Sequence, residues 1–217
     1  MLIVEKLSKS YKKQEQVLND LFFKLNAGEI HVLFGRSGSG KSTFLNCLSG
    51  VISPDSGSVR ILQKNLSDFT EDQRANFRLK NIGILYQFFN LLPALTIKEN
   101  ITLPAQLNGI KYQMDLEAIT VDFGIVSILD KYPDQCSGGE CQRAALCRSL
   151  ISNPSLLLAD EPTGNLDTDM RDTILCHLKR LAKDRKLGMV IATHDEVLKG
   201  MGDFVWQLKD GRLVSLR

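Results

Sequence analysis

The stretch Gly35–Thr43 reads GRSGSGKST and decides the fold of this chain. It matches the phosphate-binding loop pattern G-x-x-x-x-G-K-[ST]. The apolar residues 30–34 before it predict a short buried strand, and residues 42–48 after it predict the first turns of a helix. Phosphate-binding loops have this order of strand, glycine loop and helix. The sequence therefore predicts that a nucleoside triphosphate binds here; the alternative is a glycine-serine turn with a lysine beside it.

The chemistry of the loop follows from its residue types. A helix N-terminus leaves backbone N–H groups unpaired and carries partial positive charge, so it attracts phosphate oxygens. Glycine lets the backbone curl around those oxygens, and Lys41 adds a full positive charge on the β/γ side. The loop residues expected to bind the nucleotide are Gly35, Ser37, Gly38, Ser39, Gly40, Lys41, Ser42 and Thr43.

The amino-acid composition limits the classes of protein to which this chain can belong. The chain has 217 residues, 43% hydrophobic and 24% charged, which is typical of a globular protein. No apolar run approaches the roughly 18 residues of a membrane span, and the N-terminal order of apolar residues before lysines does not fit a secretion signal. A net charge of +2 without a basic stripe gives no support for nucleic-acid binding. Five cysteines without metal-ligand spacing indicate reduced thiols in a cytosolic protein.

Periodicity along the chain predicts an α/β fold. Strands are predicted at 2–7, 17–25, 29–34, 58–62, 82–87, 155–160, 189–194, 203–209 and 212–216, and helices at 42–48, 67–79 and 167–184. From Phe88 to about Leu150 no strand is predicted, and the recognisable segments, TIKENITLPAQL and MDLEAITVDFGI among them, have helical spacing. We therefore expect residues 1–217 to form one domain: a P-loop (RecA-like) core of residues 1–87 and 151–217 with an antiparallel β edge, and an inserted α-helical lobe of residues 88–150.

Two acidic residues end one of the predicted strands. The apolar run 156–159 leads into Asp160, and Glu161 follows directly. A carboxylate at the C-terminal end of a parallel strand lies at the ligand-binding edge of the sheet. Asp160 is a candidate to hold Mg²⁺ opposite Ser42, and Glu161 a candidate to orient or deprotonate the attacking water. Without the phosphate-binding loop, the alternative interpretation is that these two acids are solvated side chains at the end of a strand.

A second glycine-bearing helix start lies at Ser137-Gly138-Gly139-Glu140. Such a start is either another anion-binding N-terminus or an ordinary cap. One nucleotide does not need two phosphate cradles on one chain. The second anion-binding helix start therefore indicates that two nucleotides are shared between two copies of the chain.

Taken together, these motifs resemble those of the ATP-binding subunits of ABC transporters. The resemblance rests on GRSGSGKST, Gln87 after a strand, CSGGE, LLLADE, PTGNLD and ATHD, and it spans residues 11–211. In that family two subunits close head to tail around two MgATP. The resemblance implies roles for Ser137, Gly138, Gly139 and Glu140 (the partner's γ-phosphate), Gln87 (Mg²⁺ and the lobe interface), Asp167 (the loop crossing the dimer), His194 (the γ-phosphate), Glu161 (activation of water) and Tyr11 (stacking on adenine).

Residues 86–109 resemble the lipoprotein-releasing, macrolide-export and cell-division branch of the family. That branch works with an integral membrane subunit, at the cytoplasmic face of the inner membrane, in extraction, export or signal transmission. The resemblance implies that the membrane subunit contacts an apolar cluster, for which the alternative is lobe core: Phe88, Phe89, Leu91, Leu92 and Leu95. The chain departs from the family pattern at Cys136, where leucine is usual, and at Cys141, where glutamine is usual.

Two rival classes remain at this stage. A soluble ABC-type ATPase of translation or DNA repair would usually carry two cassettes or a long coiled-coil insertion, and this chain has neither. A P-loop kinase would need an acceptor-binding lid. A GTPase would show an N-K-x-D base-reading motif, which is absent from the sequence.

Overall fold

The structure is a computed structural model that describes residues 1–12, 15–109 and 113–217. Its strands are β1 (Leu2–Lys12), β2 (Glu15–Leu25), β3 (Ile30–Phe34), β4 (Ser56–Ile61), β5 (Lys64–Asn65), β6 (Ile82–Leu85), β7 (Leu156–Asp160), β8 (Gly188–Thr193), β9 (Phe204–Lys209) and β10 (Arg212–Ser215). Its α-helices are α1 (Lys41–Leu48), α2 (Glu71–Asn81), α3 (Ile97–Leu107), α4 (Gln113–Asp122), α5 (Gly138–Leu150) and α6 (Thr168–Arg185).

The strands form two sheets. The larger has the order β10-β9-β3-β8-β7-β6, in which β10 pairs antiparallel with β9 and every other pair is parallel. The smaller is antiparallel, with the order β2-β1-β4-β5. The predicted fold class, a P-loop α/β core with an antiparallel edge and an inserted helical region, is confirmed.

The parallel sheet is buried on both faces, which explains its apolar strands. Along β7, Leu156 and Leu158 pack into the cluster shared with α1 and the antiparallel sheet. Leu157 and Ala159 pack into the opposite cluster, shared with α3, α5 and α6. Because side chains alternate across a strand, a strand covered on both faces must be apolar at successive positions. The acid at its end, Asp160, is thereby placed at the sheet edge.

Most element boundaries differ from the prediction by one or a few residues; β1, for example, runs to Lys12 rather than to residue 7. The helix predicted from residue 67 begins at Glu71, because Thr70 forms a capping box with Gln73 and so stops the helix from extending backwards. The strand predicted at 82–87 ends at Leu85, so Gln87 lies beyond the sheet edge.

The described residues between β6 and β7 hold α3, α4 and α5 and no strand, as the helical spacing predicts. In the part of the chain that the structure describes, no helix combines the length and apolar character needed to cross a membrane.

Candidate active site

A groove of about 410 Å³ opens at the C-terminal edge of the parallel sheet. The groove is built by the ends of β7 and β8, the loop after β3 and the start of α1, as expected for a ligand site in an α/β sheet. Its lining residues are Tyr11, Val17, Ser37, Gly38, Gly40, Lys41, Ser42, Thr43, Gln87, Asp160, Glu161 and His194. The structure thus brings together most of the predicted site, from segments that are far apart in the sequence.

The phosphate loop is shaped by glycine and closed by Lys41. Gly40, the N-cap of α1, has φ 101°, and a Cβ there would lie 2.8 Å from a Val17 methyl carbon. The Lys41 ammonium is nearly buried and donates to the carbonyl oxygens of Gly35 (2.8 Å) and Arg36 (3.2 Å). The cation is therefore held across the loop, beside the backbone that would surround a phosphate.

Two observations test whether this loop fits a phosphate. The Ser39 hydroxyl oxygen is buried and has no hydrogen-bond partner among the described residues. Buried polar atoms are normally hydrogen-bonded, so this hydroxyl is available to bond a phosphate oxygen. A Cβ built at Gly38 would meet nothing within 4 Å, so the loop is open at this point. The loop fits an anion of phosphate size.

Ser42 and Asp160 meet across the groove. The Ser42 hydroxyl donates to Asp160 Oδ2 at 2.5 Å, which joins α1 to the end of β7. Burial raises the pKa of the Asp160 carboxyl; the hydrogen bond from Ser42 opposes that effect, and the neighbouring charge of Glu161 adds to it. A cation bound beside Asp160 would offset the free-energy cost of burying its negative charge.

This donor set fits Mg²⁺. The ion prefers hard oxygen ligands and is commonly held by one or two carboxylates together with substrate phosphates and waters. Among the described residues there is no cluster of three or more His, Cys, Asp or Glu side chains able to hold a metal. A site made of Ser42 and Asp160 therefore depends on the phosphates of the nucleotide.

Glu161 is held by the end of β8. Its carboxylate accepts hydrogen bonds from the Thr193 hydroxyl (2.9 Å), the His194 backbone N–H (3.0 Å) and His194 Nδ1 (2.7 Å). The Nδ1 bond implies the tautomer with a proton on that nitrogen. Glu161 also has φ 52°, which an L-residue rarely adopts. Strained backbone of this kind clusters at functional sites, where the surroundings hold it.

Gln87 and Tyr11 lie at the rim of the groove. Gln87 is exposed just beyond β6. The Tyr11 hydroxyl lies 3.2 Å from the Thr43 hydroxyl, and its side chain is 55% exposed. An exposed ring beside the start of α1 is available to stack on a base.

The predicted second cradle stands apart from the groove. Ser137 caps α5 through a capping box, in which the Glu140 carboxylate accepts from the Ser137 N–H (2.7 Å) and hydroxyl (2.8 Å). These bonds lower the pKa of Glu140. Among the described residues that line the groove, none comes from Ser137 to Glu140. Within one chain, the structure does not bring this helix start to the phosphate loop.

Asp167 is the N-cap of α6. Its side chain accepts from the Met170 N–H at 2.9 Å. This is the capping role expected as one of two possibilities from the sequence. Just before it, Asn165 lies against Gly138 and Gly139, so the loop after β7 touches the start of α5.

The segment after Gln87 is clamped by two polar side chains. The Arg148 guanidinium donates to the carbonyls of Phe89 (2.5 Å) and Asn90 (2.6 Å), which both have left-handed backbone. Asn100 is fully buried and bonds both the N–H and the carbonyl of Leu92. The predicted apolar cluster therefore has a fixed backbone.

The members of the predicted apolar cluster differ in exposure to solvent. Phe89 and Leu91 pack against the core, and Leu95 is partly buried. The side chains of Phe88 and Leu92 are 81% and 45% exposed. Phe89 and Leu91 thus fit the lobe-core interpretation, whereas Phe88 and Leu92 are exposed and leave the docking interpretation as a prediction.

Sequence reasoning missed several residues of this site. Gln142 on α5 is 2% exposed and bonds the backbone of Glu161 and Asn165. Thr193 holds the Glu161 carboxylate. For Gln142, the signal in the sequence was a polar side chain on an apolar helix face, which does not identify its partner.

Comparison with known proteins agrees with this geometry. The family model described as "ABC transporter" matches residues 18–164, more than half of the chain. The chain is 39% identical to the ABC transporter ATP-binding protein YtrE of Bacillus subtilis, covering 94% of this chain and 90% of that protein. It is 40% identical to the lipoprotein-releasing system ATP-binding protein LolD of Colwellia psychrerythraea, covering 97% and 84%.

A solved structure is similar over the whole chain. It is the dimeric post-hydrolysis state of the ATP-binding cassette MJ0796 bound to ADP and Pi, with TM-score 0.92 and 32% identity, covering 100% of this chain and 99% of that one.

Proposed function

This chain belongs to the ABC transporter family as an ATP-binding subunit with ATPase activity, and we propose that it works as one half of a dimer that encloses two MgATP and drives a membrane partner. One observation carries the proposal. The groove unites Lys41, Asp160, Glu161 and His194, whereas the cap at Ser137 stands outside it. The helix start at Ser137 does not reach the nucleotide groove of its own chain. Its anion-binding N–H groups are explained if they bind the nucleotide of a neighbouring chain.

We assign nucleotide binding to the loop and the start of α1. The backbone N–H groups of residues 38–43 and the Lys41 ammonium would bind the phosphates, and the Ser39 hydroxyl would gain the partner it lacks. Ser42 and Asp160, with Gln87 at the rim, would hold Mg²⁺, which at such sites neutralises charge on the phosphate oxygens. Tyr11 would stack on the adenine.

We assign proton transfer to Glu161. Its carboxylate would accept a proton from the attacking water while the water oxygen bonds to the γ-phosphorus. The bond from that phosphorus to the β–γ bridging oxygen breaks, which leaves ADP. Thr193 and the His194 backbone N–H hold the carboxylate in place. The His194 ring, 71% exposed, would turn its N–H from Glu161 to the γ-phosphate when the nucleotide binds.

The neighbouring chain would complete the site. The Ser137 hydroxyl and the N–H groups at Gly138 and Gly139 would meet the partner's γ-phosphate, since the start of α5 carries partial positive charge. Asp167 would lie in the loop that crosses the dimer. The dimeric state of the MJ0796 cassette, similar over the full chain length, supports this arrangement.

The membrane partner would bind the exposed residues of the clamped segment. Phe88 and Leu92 present apolar surface directly after Gln87, which links a docked partner to the nucleotide groove. The 40% identity to a lipoprotein-releasing system ATP-binding protein supports a role in extraction, export or signal transmission across the envelope, at the cytoplasmic face of the membrane.

ATP-driven dimerisation tests the proposal. A Glu161→Gln variant should bind MgATP without hydrolysing it and run as a dimer in light scattering, and the same variant with Lys41→Ala should stay monomeric. If Glu161→Gln remains monomeric with saturating MgATP, the shared-nucleotide arrangement is wrong.

A further inference from the structure

We propose that Gln142 is a positioning residue that links the start of α5 to Glu161. When the Ser137 cap of one chain binds the partner's nucleotide, Gln142 transmits that binding to Glu161 of its own chain. The inference rests on the proposed dimer. It concerns how the two nucleotide sites communicate, which no motif in the sequence specifies.

The Gln142 side chain bridges two points of the loop after β7. Its Nε2 donates to the Glu161 carbonyl at 2.7 Å, and its Oε1 accepts from the Asn165 N–H at 2.9 Å. Both hydrogen-bonding ends of the amide are therefore used. The side chain is 2% exposed, so water does not substitute for these bonds.

The bond to Glu161 supports a strained residue. Glu161 has φ 52°, and its N–H is bonded to the Ala192 carbonyl at 2.9 Å. Its own carbonyl accepts from Gln142 and, at a longer 3.3 Å, from the Gly164 N–H. Left-handed backbone persists only where surrounding contacts hold it. The direction of the Glu161 side chain thus depends in part on α5.

The same helix begins at the predicted trans cradle. Gln142 stands five positions after Ser137, on one continuous helix of 13 residues whose start is fixed by the capping box. A Cβ at Gly139 would lie 3.1 Å from the Asn165 carbonyl oxygen, so the cradle also touches the loop directly. A shift of α5 when the cap takes a phosphate therefore moves the Gln142 amide and the loop together.

Gln142→Met and Gln142→Glu test the link in the purified full chain. Methionine removes both bonds, whereas glutamate keeps an acceptor for Asn165 and loses the donor to Glu161. We expect kcat to fall about 10-fold or more in both variants, since small misplacement of a catalytic group is costly. The Kd of a fluorescent ATP analogue for the monomer should stay unchanged. The Hill coefficient of ATP hydrolysis should fall from above one in the wild type to about one.

Ser149→Ala is the matched control. Ser149 is a buried polar residue of the same helix, and among the described residues its hydroxyl bonds the Leu146 carbonyl alone. It should retain wild-type kcat and Hill coefficient. All assays use a temperature at which circular dichroism shows each variant folded.

The outcomes are distinct. Wild-type cooperativity that survives unchanged in the Gln142 variants, with or without a lower kcat, overturns the link. If the wild type itself hydrolyses ATP without cooperativity and Glu161→Gln does not dimerise, the proposed dimer fails instead.

Discussion

His194 Nδ1 lies 2.7 Å from a carboxylate oxygen of Glu161, although 33 positions separate the two residues in the chain. The contact forms because β7 and β8 are adjacent parallel strands, so their C-terminal ends meet. With the Thr193 hydroxyl at 2.9 Å, the histidine fixes the carboxylate that we assign as the base.

Glu161→Gln should lower kcat by about 10² to 10⁴, the usual contribution of a general base, because an amide cannot accept the proton. Phosphate release measures the rate. Thr193→Val keeps the carboxylate and removes one of the three bonds that orient it, so kcat should fall less, about 10-fold. Hydrolysis by Glu161→Gln near the wild-type rate would show that another group is the base.

Lys41→Ala should weaken MgATP binding at least about 10-fold, since it removes the cation held across the phosphate loop. Fluorescence titration with a labelled nucleotide measures the Kd. Lys64→Ala, a change at an exposed lysine of β5, serves as the control. Equal affinities for all three proteins would refute the loop assignment.

Asp160→Asn should stabilise the nucleotide-free chain at neutral pH. Burial raises the pKa of Asp160 in the folded state. Between its unfolded and folded pKa values, the folded chain holds more protons, so stability falls as pH rises through that window and the penalty persists at pH 7. Asparagine removes the charge and should raise Tm by about 2–4 °C at pH 7, while abolishing hydrolysis.

The difference should shrink on acidification. Below the unfolded pKa, Asp160 is protonated in both states and contributes nothing, so the two melting curves should converge as pH falls. A variant that is less stable than the wild type at pH 7 would contradict the assigned burial effect.

Arg148→Met should loosen the segment after Gln87 by removing its bonds to Phe89 and Asn90. Hydrogen exchange followed by mass spectrometry should show faster exchange in residues 88–95. Arg78→Met is the control, because Arg78 also bonds a backbone carbonyl, that of Gly50, but outside this segment. The same protection in wild type and Arg148→Met would mean that the segment is held by other contacts.

Phe88→Asp should detach the chain from its membrane partner while leaving nucleotide affinity intact, because the 81% exposed ring contributes apolar contact area and not fold stability. The fraction of the chain recovered with host membranes measures this. Val126→Asp changes a side chain that is 53% exposed elsewhere and should have no effect. Undiminished recovery of Phe88→Asp would place the docking surface elsewhere.

The sequence alone determined the parts of this protein that local chemistry encodes. The phosphate loop, the acid pair at the end of β7 and the run of helices between β6 and β7 each follow from neighbouring residues. A glycine loop needs only the strand before it and the helix after it. Likewise, an apolar run ending in an acid specifies a buried strand and its edge.

Only the tertiary structure decided which distant groups meet. Sequence spacing does not show that Gln142 bonds the backbone of Glu161, or that Phe88 is exposed while Phe89 packs inward. Nor does it show that the Ser137 cap lies outside the groove of its own chain. These relationships depend on strand order in the sheet and on how α5 packs against the loop after β7. Hydrophobic burial, which is non-directional, sets that packing through the whole core at once.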